Sequence, residues 1–393
     1  MMRNAEWGLA GAALTPLDID TSKHVSTRVN SPMRGWHDPT VLGTAPRSHL
    51  KEESMFSTTK ARTRLTGVLA GVAVLALAAC SSGGGSTDGS SNDAGGDGGG
   101  GGDTISVGFS QVGAESGWRA ANTKSIQDTL TAENGFDLKF SDAQQKQENQ
   151  IQAIRSYIAQ GVDVIAFSPV VESGWDAVLE EAKQAGIPVI LTDRAVDSED
   201  DTLYESFIGS DFVLEGEMAG DWVSENLATE PINVVELQGT TGAAPAIDRK
   251  TGFENATADN PNVTIIDSQT GNFTRAEGKT VMEGFLQAHD DIDLVYAHND
   301  DMGLGAIEAI EAAGLVPGED IKIVTVDAVK DGMQALADGK INFIVECNPL
   351  LGPDLADIIK KVVAGEEVEK RIVVKDESFT QEQAIEALPT REY

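Results

Sequence analysis

Cysteine is nearly absent from this sequence: 393 residues contain two, Cys80 and Cys347. So few, at unrelated positions, exclude a disulfide framework. Histidine is scarce too, with five residues at no metal-ligand spacing. No Ser, His and Asp converge on strand ends, so neither a zinc centre nor a hydrolase triad is expected. Basic charge is thin, 29 Lys and Arg against 63 Asp and Glu, a net −34. Neutralising phosphates needs clustered cations, which excludes nucleic acid as a partner. Such an acidic chain suits solution outside the cell or in salt. No apolar run reaches the ~20 residues of a membrane span. The glycines form no nucleotide cradle: Gly303-Leu304-Gly305 lacks its third glycine, and no Gly-Lys-Ser/Thr follows a glycine-rich loop. Asp197–Asp201 lacks the alternating ligands and turn glycine of a calcium loop. Neither a metal nor a cofactor is therefore expected.

What is present begins with three segments that do not fold as a core. Residues 1–54 show no apolar periodicity and read as an unstructured extension or a mis-assigned start, with translation beginning at Met55. Residues 55–80 then carry a basic start (Lys60, Arg62, Arg64), an apolar stretch Leu65–Ala79, and Leu77-Ala78-Ala79-Cys80. Small residues before a cysteine after such a run resemble the lipobox of bacterial lipoproteins. That implies a signal peptide, lipidation at Cys80 and an extracytoplasmic protein held to the membrane by its lipid alone. Residues 81–102 are about half glycine and read as a flexible tether.

From Asp103 the pattern becomes that of an α/β protein. Apolar runs of strand length alternate with helical stretches of 10–15 residues, several closed by a glycine such as Gly161 or Gly186. Four runs are decisive: DVIAFSPV (Asp163–Val170), IPVILTDR (Ile187–Arg194), DLVYAHND (Asp293–Asp300) and IKIVTVDA (Ile321–Ala328). Continuous β-branched runs fit strands buried on both faces of a parallel sheet, whose carboxyl ends open on a ligand crevice. The second and fourth end in Asp193 and Asp327, so one unit is built twice and two sets of strand ends face each other across a cleft.

Further motifs bear a resemblance. FSQVGAESGWRAAN, DAQQKQENQI, SPVVESGW, LTDR, VVELQGTTGAAPAIDRKTGF, NFTRAEGK and AHNDDM resemble the periplasmic sugar-binding proteins of the ribose/galactose type, and within them the galactofuranose binders of ABC importers. The resemblance covers Thr104–Tyr393. It implies a type I periplasmic binding protein fold: two Rossmann-like α/β lobes with parallel sheets, joined by a three-segment hinge. Lobe 1 would hold residues 103–210 and 348–371, lobe 2 residues 211–347 and 372–393. The crossings fall near Ser210–Asp211, Cys347–Asn348 and Lys370–Val374, and helix Pro353–Val363 returns to lobe 1.

The resemblance also implies a function: a monomeric receptor, not an enzyme, that passes a neutral monosaccharide to ABC permease subunits. By matching position, Trp118 and Phe273 would cover the C–H faces of the sugar. Asp193, Arg194, Arg249, Asn299 and Asp327 would bind its hydroxyls. Glu115 and Arg119 belong to the galactofuranose-type pattern, and Asp142 is added from the end of the second strand. Cys347 stands where the ribose type has glutamine. Three arginines against three carboxylates favour an uncharged ligand over a sugar acid or phosphate. A receptor for another sugar, a signalling sensor, and a glycoside-processing enzyme using Asp193 and Asp327 are the competing expectations.

Overall fold

A computed structural model describes residues 104–393, so the extension, the signal segment, Cys80 and the tether lie outside the described residues. Among the described residues no helix is long and apolar enough to cross a membrane. The order begins β1 (Ile105–Gln111), α1 (Gly117–Thr129), β2 (Phe136–Asp142), α2 (Gln147–Gln160), β3 (Val164–Phe167), α3 (Asp176–Gln184), β4 (Val189–Thr192) and β5 (Ser206–Gly209). It continues with α4 (Phe212–Asn226), β6 (Ile232–Gln238), α5 (Ala244–Thr257), β7 (Val263–Thr270), α6 (Arg275–Ala288), β8 (Leu294–Ala297), α7 (Asp300–Ala312), β9 (Lys322–Asp327), α8 (Lys330–Ala337) and β10 (Phe343–Glu346). Then come α9 (Gly352–Val363), β11 (Arg371–Val373), β12 (Ser378–Phe379) and α10 (Gln381–Ala387).

Two six-stranded sheets result, β11-β5-β4-β3-β1-β2 and β12-β10-β9-β8-β6-β7. Strands β3, β4 and β8, apolar but for Thr192 at the end of β4, are buried along their whole length, as strands covered by helices on both faces must be. The duplication extends to single hydrogen bonds. Before β3, Asp163 takes the backbone N–H of Ser106 on its carboxylate at 2.7 Å and gives its own N–H to the Ser106 carbonyl. Before β8, Asp293 does the same with Asn233, again at 2.7 Å. One carboxylate thus fixes the register of each central strand pair.

The chain passes between the sheets after β5, after β10 and after β11. Helix α9 packs on α1, with Leu355 and Ile359 against Val107, Phe109 and Ile126. Two details differ from the sequence expectation. Strand β11 pairs with β5 through Val373, so the third crossing lies beyond residue 371. Strand β12 runs antiparallel to β10, so the second sheet is not wholly parallel. Two residues are too few for an apolar run to announce the strand.

Helices α4 and α5 meet closely enough to need glycine. A Cβ on Gly252 would lie 2.0 Å from the Val213 carbonyl, and one on Gly216 would lie 2.2 Å from that of Arg249. This close crossing sets Arg249, on α5, beside Glu215, on α4.

Candidate functional site

The carboxyl ends of the two sheets face one small cavity lined by both lobes. Nine of the ten predicted residues line it: Glu115, Trp118, Arg119, Asp193, Arg194, Arg249, Phe273, Asn299 and Asp327. Ser116, Pro245 and Cys347 complete the lining.

On the first lobe the charged groups hold one another. Glu115 Oε1 accepts from Arg119 Nε at 3.1 Å and Arg194 Nη2 at 3.2 Å. Asp193 Oδ2 accepts from Arg119 Nη2 at 2.5 Å and from the Ser168 hydroxyl at 2.9 Å. Burial pulls the Arg119 guanidinium down, but Asp193 and Glu115 outweigh it and hold the group above its usual range. Burial and the neighbouring Arg119 bring Arg194 down to about 10, so it stays charged at neutral pH. Within this charged cluster Glu115 Oε2, an acceptor, and Arg194 Nε, a donor 3.7 Å from Asp193 Oδ2, make no hydrogen bond in the protein.

On the second lobe Arg249 is the centre. It donates through Nε to Glu215 at 2.6 Å and through Nη1 to the His298 carbonyl, and its Nη2 lies 3.6 Å from Asp327 Oδ1. Burial opposes its charge, yet Glu215 and Asp327 hold it above the usual range. Burial pushes the Asp327 carboxyl well up, and the Arg249 guanidinium opposes that shift. Asn299 caps α7, taking the Met302 N–H at 3.0 Å and donating to the Phe273 carbonyl at 3.1 Å. A predicted hydroxyl binder is therefore also the residue that positions an aromatic neighbour.

Both aromatics are held from several sides. Trp118 Nε1 donates to the Cys347 carbonyl at 2.6 Å, tying α1 to the second crossing. The Arg119 guanidinium lies 4.6 Å from the Trp118 ring centroid. Phe273 rests on Gly239, where a Cβ would fall 1.9 Å from its ring, and Arg194 of the other lobe covers it at 5.2 Å. Asp193, Phe273 and Asp327 have φ of +63°, +61° and +121°. Left-handed backbone at three lining residues is strain of the kind concentrated at functional sites.

Asp142 is a correction. Its side chain is exposed, and its Oδ1 takes the Gln144 N–H at 2.7 Å in a local turn. Strand β2 is the edge strand, so its end lies beyond the cavity. Sequence reasoning passed over Glu215, although Phe212, Glu215 and Ala219 share the buried face of α4. An acid at 3–4 spacing among core residues was the available signal.

The buried acids predict an unusual pH dependence. Burial raises Glu215 to about 7, Asp300 to about 7 and Asp376 to about 6. These carboxyls hold protons more tightly folded than unfolded, so stability falls as pH rises from about 4 to 7 and then levels off. Glu236 acts oppositely: burial resists its charge, but hydrogen bonds from His298, Ser268 and Gln238 bring it down to about 2. Its contribution is present above the unfolded value and disappears as pH falls toward 2. Thermal melts of ligand-free protein should therefore peak near pH 4 and drop by several degrees by pH 8. A midpoint rising across that interval would contradict these shifts.

Known proteins share this arrangement. A periplasmic binding protein domain matches residues 107–367. The galactofuranose-binding protein of Escherichia coli (strain K12) is 49% identical over 288 residues, covering 72% of this chain and 90% of that protein. A crystal structure from Mycobacterium smegmatis, in complex with β-D-fucofuranose, is 65% identical with a TM-score of 0.72, covering 74% of this chain and 95% of that one. The binding component of the arabinose ABC transporter of Shewanella sp. ANA-3, bound to α- and β-L-arabinofuranose, is 49% identical with a TM-score of 0.71, covering 73% of this chain and 96% of that one. With two α/β lobes crossed three times by the chain and one polar cavity between their strand ends, this chain belongs to the periplasmic binding proteins.

Proposed function

We propose that the protein is the sugar receptor of an ABC importer and encloses one neutral furanose, galactofuranose, between its lobes. The observation that carries this is the pair of unpartnered atoms, Glu115 Oε2 and Arg194 Nε, buried beside the same cavity. Burying such groups unmet costs about 1–3 kcal/mol each, more when charged. A hydroxyl both donates and accepts, so adjacent hydroxyls of one sugar satisfy both atoms. Three guanidinium groups and three carboxyl groups line the cavity, leaving no surplus cation to hold a sugar acid or phosphate. The furanose ring follows from the ligands named for the three relatives above.

Lipidation at Cys80 would hold this receptor, as a monomer, beside its permease. Glycoside cleavage is the weaker reading, because Asp193 is already committed to Arg119 and Ser168 and is not free to act as acid or base. Titration calorimetry with D-galactose, D-fucose, L-arabinose, D-ribose and galacturonic acid tests the proposal, alongside mass spectrometry of any sugar that co-purifies. Saturable binding of a neutral sugar that exists partly as a furanose is expected. Preference for galacturonic acid, or turnover of a nitrophenyl galactofuranoside, would overturn it.

A further inference from the structure

Beyond the cavity, one carboxylate joins the two lobes directly. Asp301 sits in the first turn of α7 and is absent from the cavity lining. Its Oδ2 accepts the backbone N–H of Gly117, the first residue of α1 on the opposite lobe, at 2.7 Å. Its Oδ1 accepts from Arg275 Nε at 3.3 Å, and Arg275 Nη2 reaches Asp331 at 3.1 Å. One oxygen is thus held within its own lobe, and the other is presented to its neighbour.

The first N–H groups of a helix lack intrahelical partners and carry partial positive charge. In α1 the Ser116 hydroxyl takes the N–H of Arg119, while that of Gly117 is left for Asp301. The same turn carries Trp118 and Arg119 into the cavity.

We infer that Asp301 is a closure latch: it caps α1 across the cleft, positions Trp118 and Arg119, and slows sugar release without touching the sugar. The backbone bond from Glu172 N–H to the Gly242 carbonyl, 2.9 Å, is a second contact between the lobes. Asp301 adds charge to closure, and only in the closed arrangement. The inference rests on the receptor reading, and its test separates the two.

The test uses Asp301→Ala, Asp301→Asn and Gly117→Pro. Proline is well tolerated at the first helical position, removes the donated N–H and sets its ring against Asp301 Oδ2, 2.7 Å from the same nitrogen, so it blocks the contact from the α1 side. D-Galactose, D-fucose and L-arabinose serve as probes, with release followed by tryptophan fluorescence in stopped flow and the interlobe distance by a donor–acceptor dye pair. Asp301→Ala and Gly117→Pro should each speed release about tenfold, the scale of one charge-assisted hydrogen bond, with association within about twofold of the parent. Asp301→Asn, which keeps an acceptor but not the charge, should fall between. Joining Asp301→Ala to Gly117→Pro should add nothing to either alone, because both delete one interaction. Release within about twofold of the parent in all variants, or additive effects in the double variant, overturns the latch. If the parent takes up none of the three sugars, the receptor reading fails. The latch is then judged by the ligand-free distance, standing if Asp301→Ala opens the lobes and falling if it does not.

Discussion

Replacing Arg249 with methionine should abolish measurable sugar binding and lower the melting temperature, and the two losses should be separable. The guanidinium is buried and serves Glu215, the His298 carbonyl and Asp327 together. Removing one partner of a buried ion pair costs about 3–5 kcal/mol, because the other charge is left without compensation. The same scale in binding is a loss of more than about a hundredfold. Part of the stability loss should be recoverable. Glu215 is already raised to about 7, so without Arg249 it will take a proton instead of standing charged in the core. The double variant Arg249→Met, Glu215→Gln should regain stability, since a buried ion pair can often be replaced by uncharged residues without penalty. It should not regain binding, since the group facing the cavity is still missing. Calorimetry and thermal melts on the single and double variants read the two effects apart. Full binding by the double variant would remove Arg249 from the site.

The parts of this molecule that could be read from its sequence are those whose cause is local. Strands β3, β4 and β8 declare themselves because burial on both faces requires an unbroken apolar run. Asp193 and Asp327 are visible because each ends such a run. The polar residues of the cavity came from resemblance, since a lone Arg249 in a helix carries no sign of what it faces. Where geometry depends on distant contacts, the sequence says less. Asp142 ends a strand just as Asp193 does, yet β2 is an edge and β4 is not, and only the pairing order distinguishes them. Asn299 reads from resemblance as a ligand, and the fold makes it the cap of α7 as well while leaving it beside the cavity. Asp301 is one more acid in an acidic chain until α1 of the other lobe is set against it.

Asp193→Asn is the sharpest test of charge within the cavity, because it changes little else. The residue has φ of +63°, a conformation that asparagine adopts several times more readily than most residues. The backbone is therefore preserved, and the amide oxygen can still accept from one donor. What disappears is the negative charge that Arg119 meets at 2.5 Å, in a side chain only about 5% exposed. Two lining carboxyl groups, those of Glu115 and Asp327, then remain against the guanidinium groups of Arg119, Arg194 and Arg249. A hydrogen bond to a charged group contributes about 1.5–3 kcal/mol, so affinity for a neutral sugar should fall at least about tenfold. The surplus cation should also favour an anion, so binding of galacturonic acid should strengthen relative to galactose as the neutral sugar weakens. Calorimetry with both sugars, on parent and variant, gives the ratio directly. Screening by salt should reduce this shift only weakly, since the charges concerned are buried. An unchanged ratio would mean that charge balance does not select the ligand, and that shape alone excludes the sugar acid.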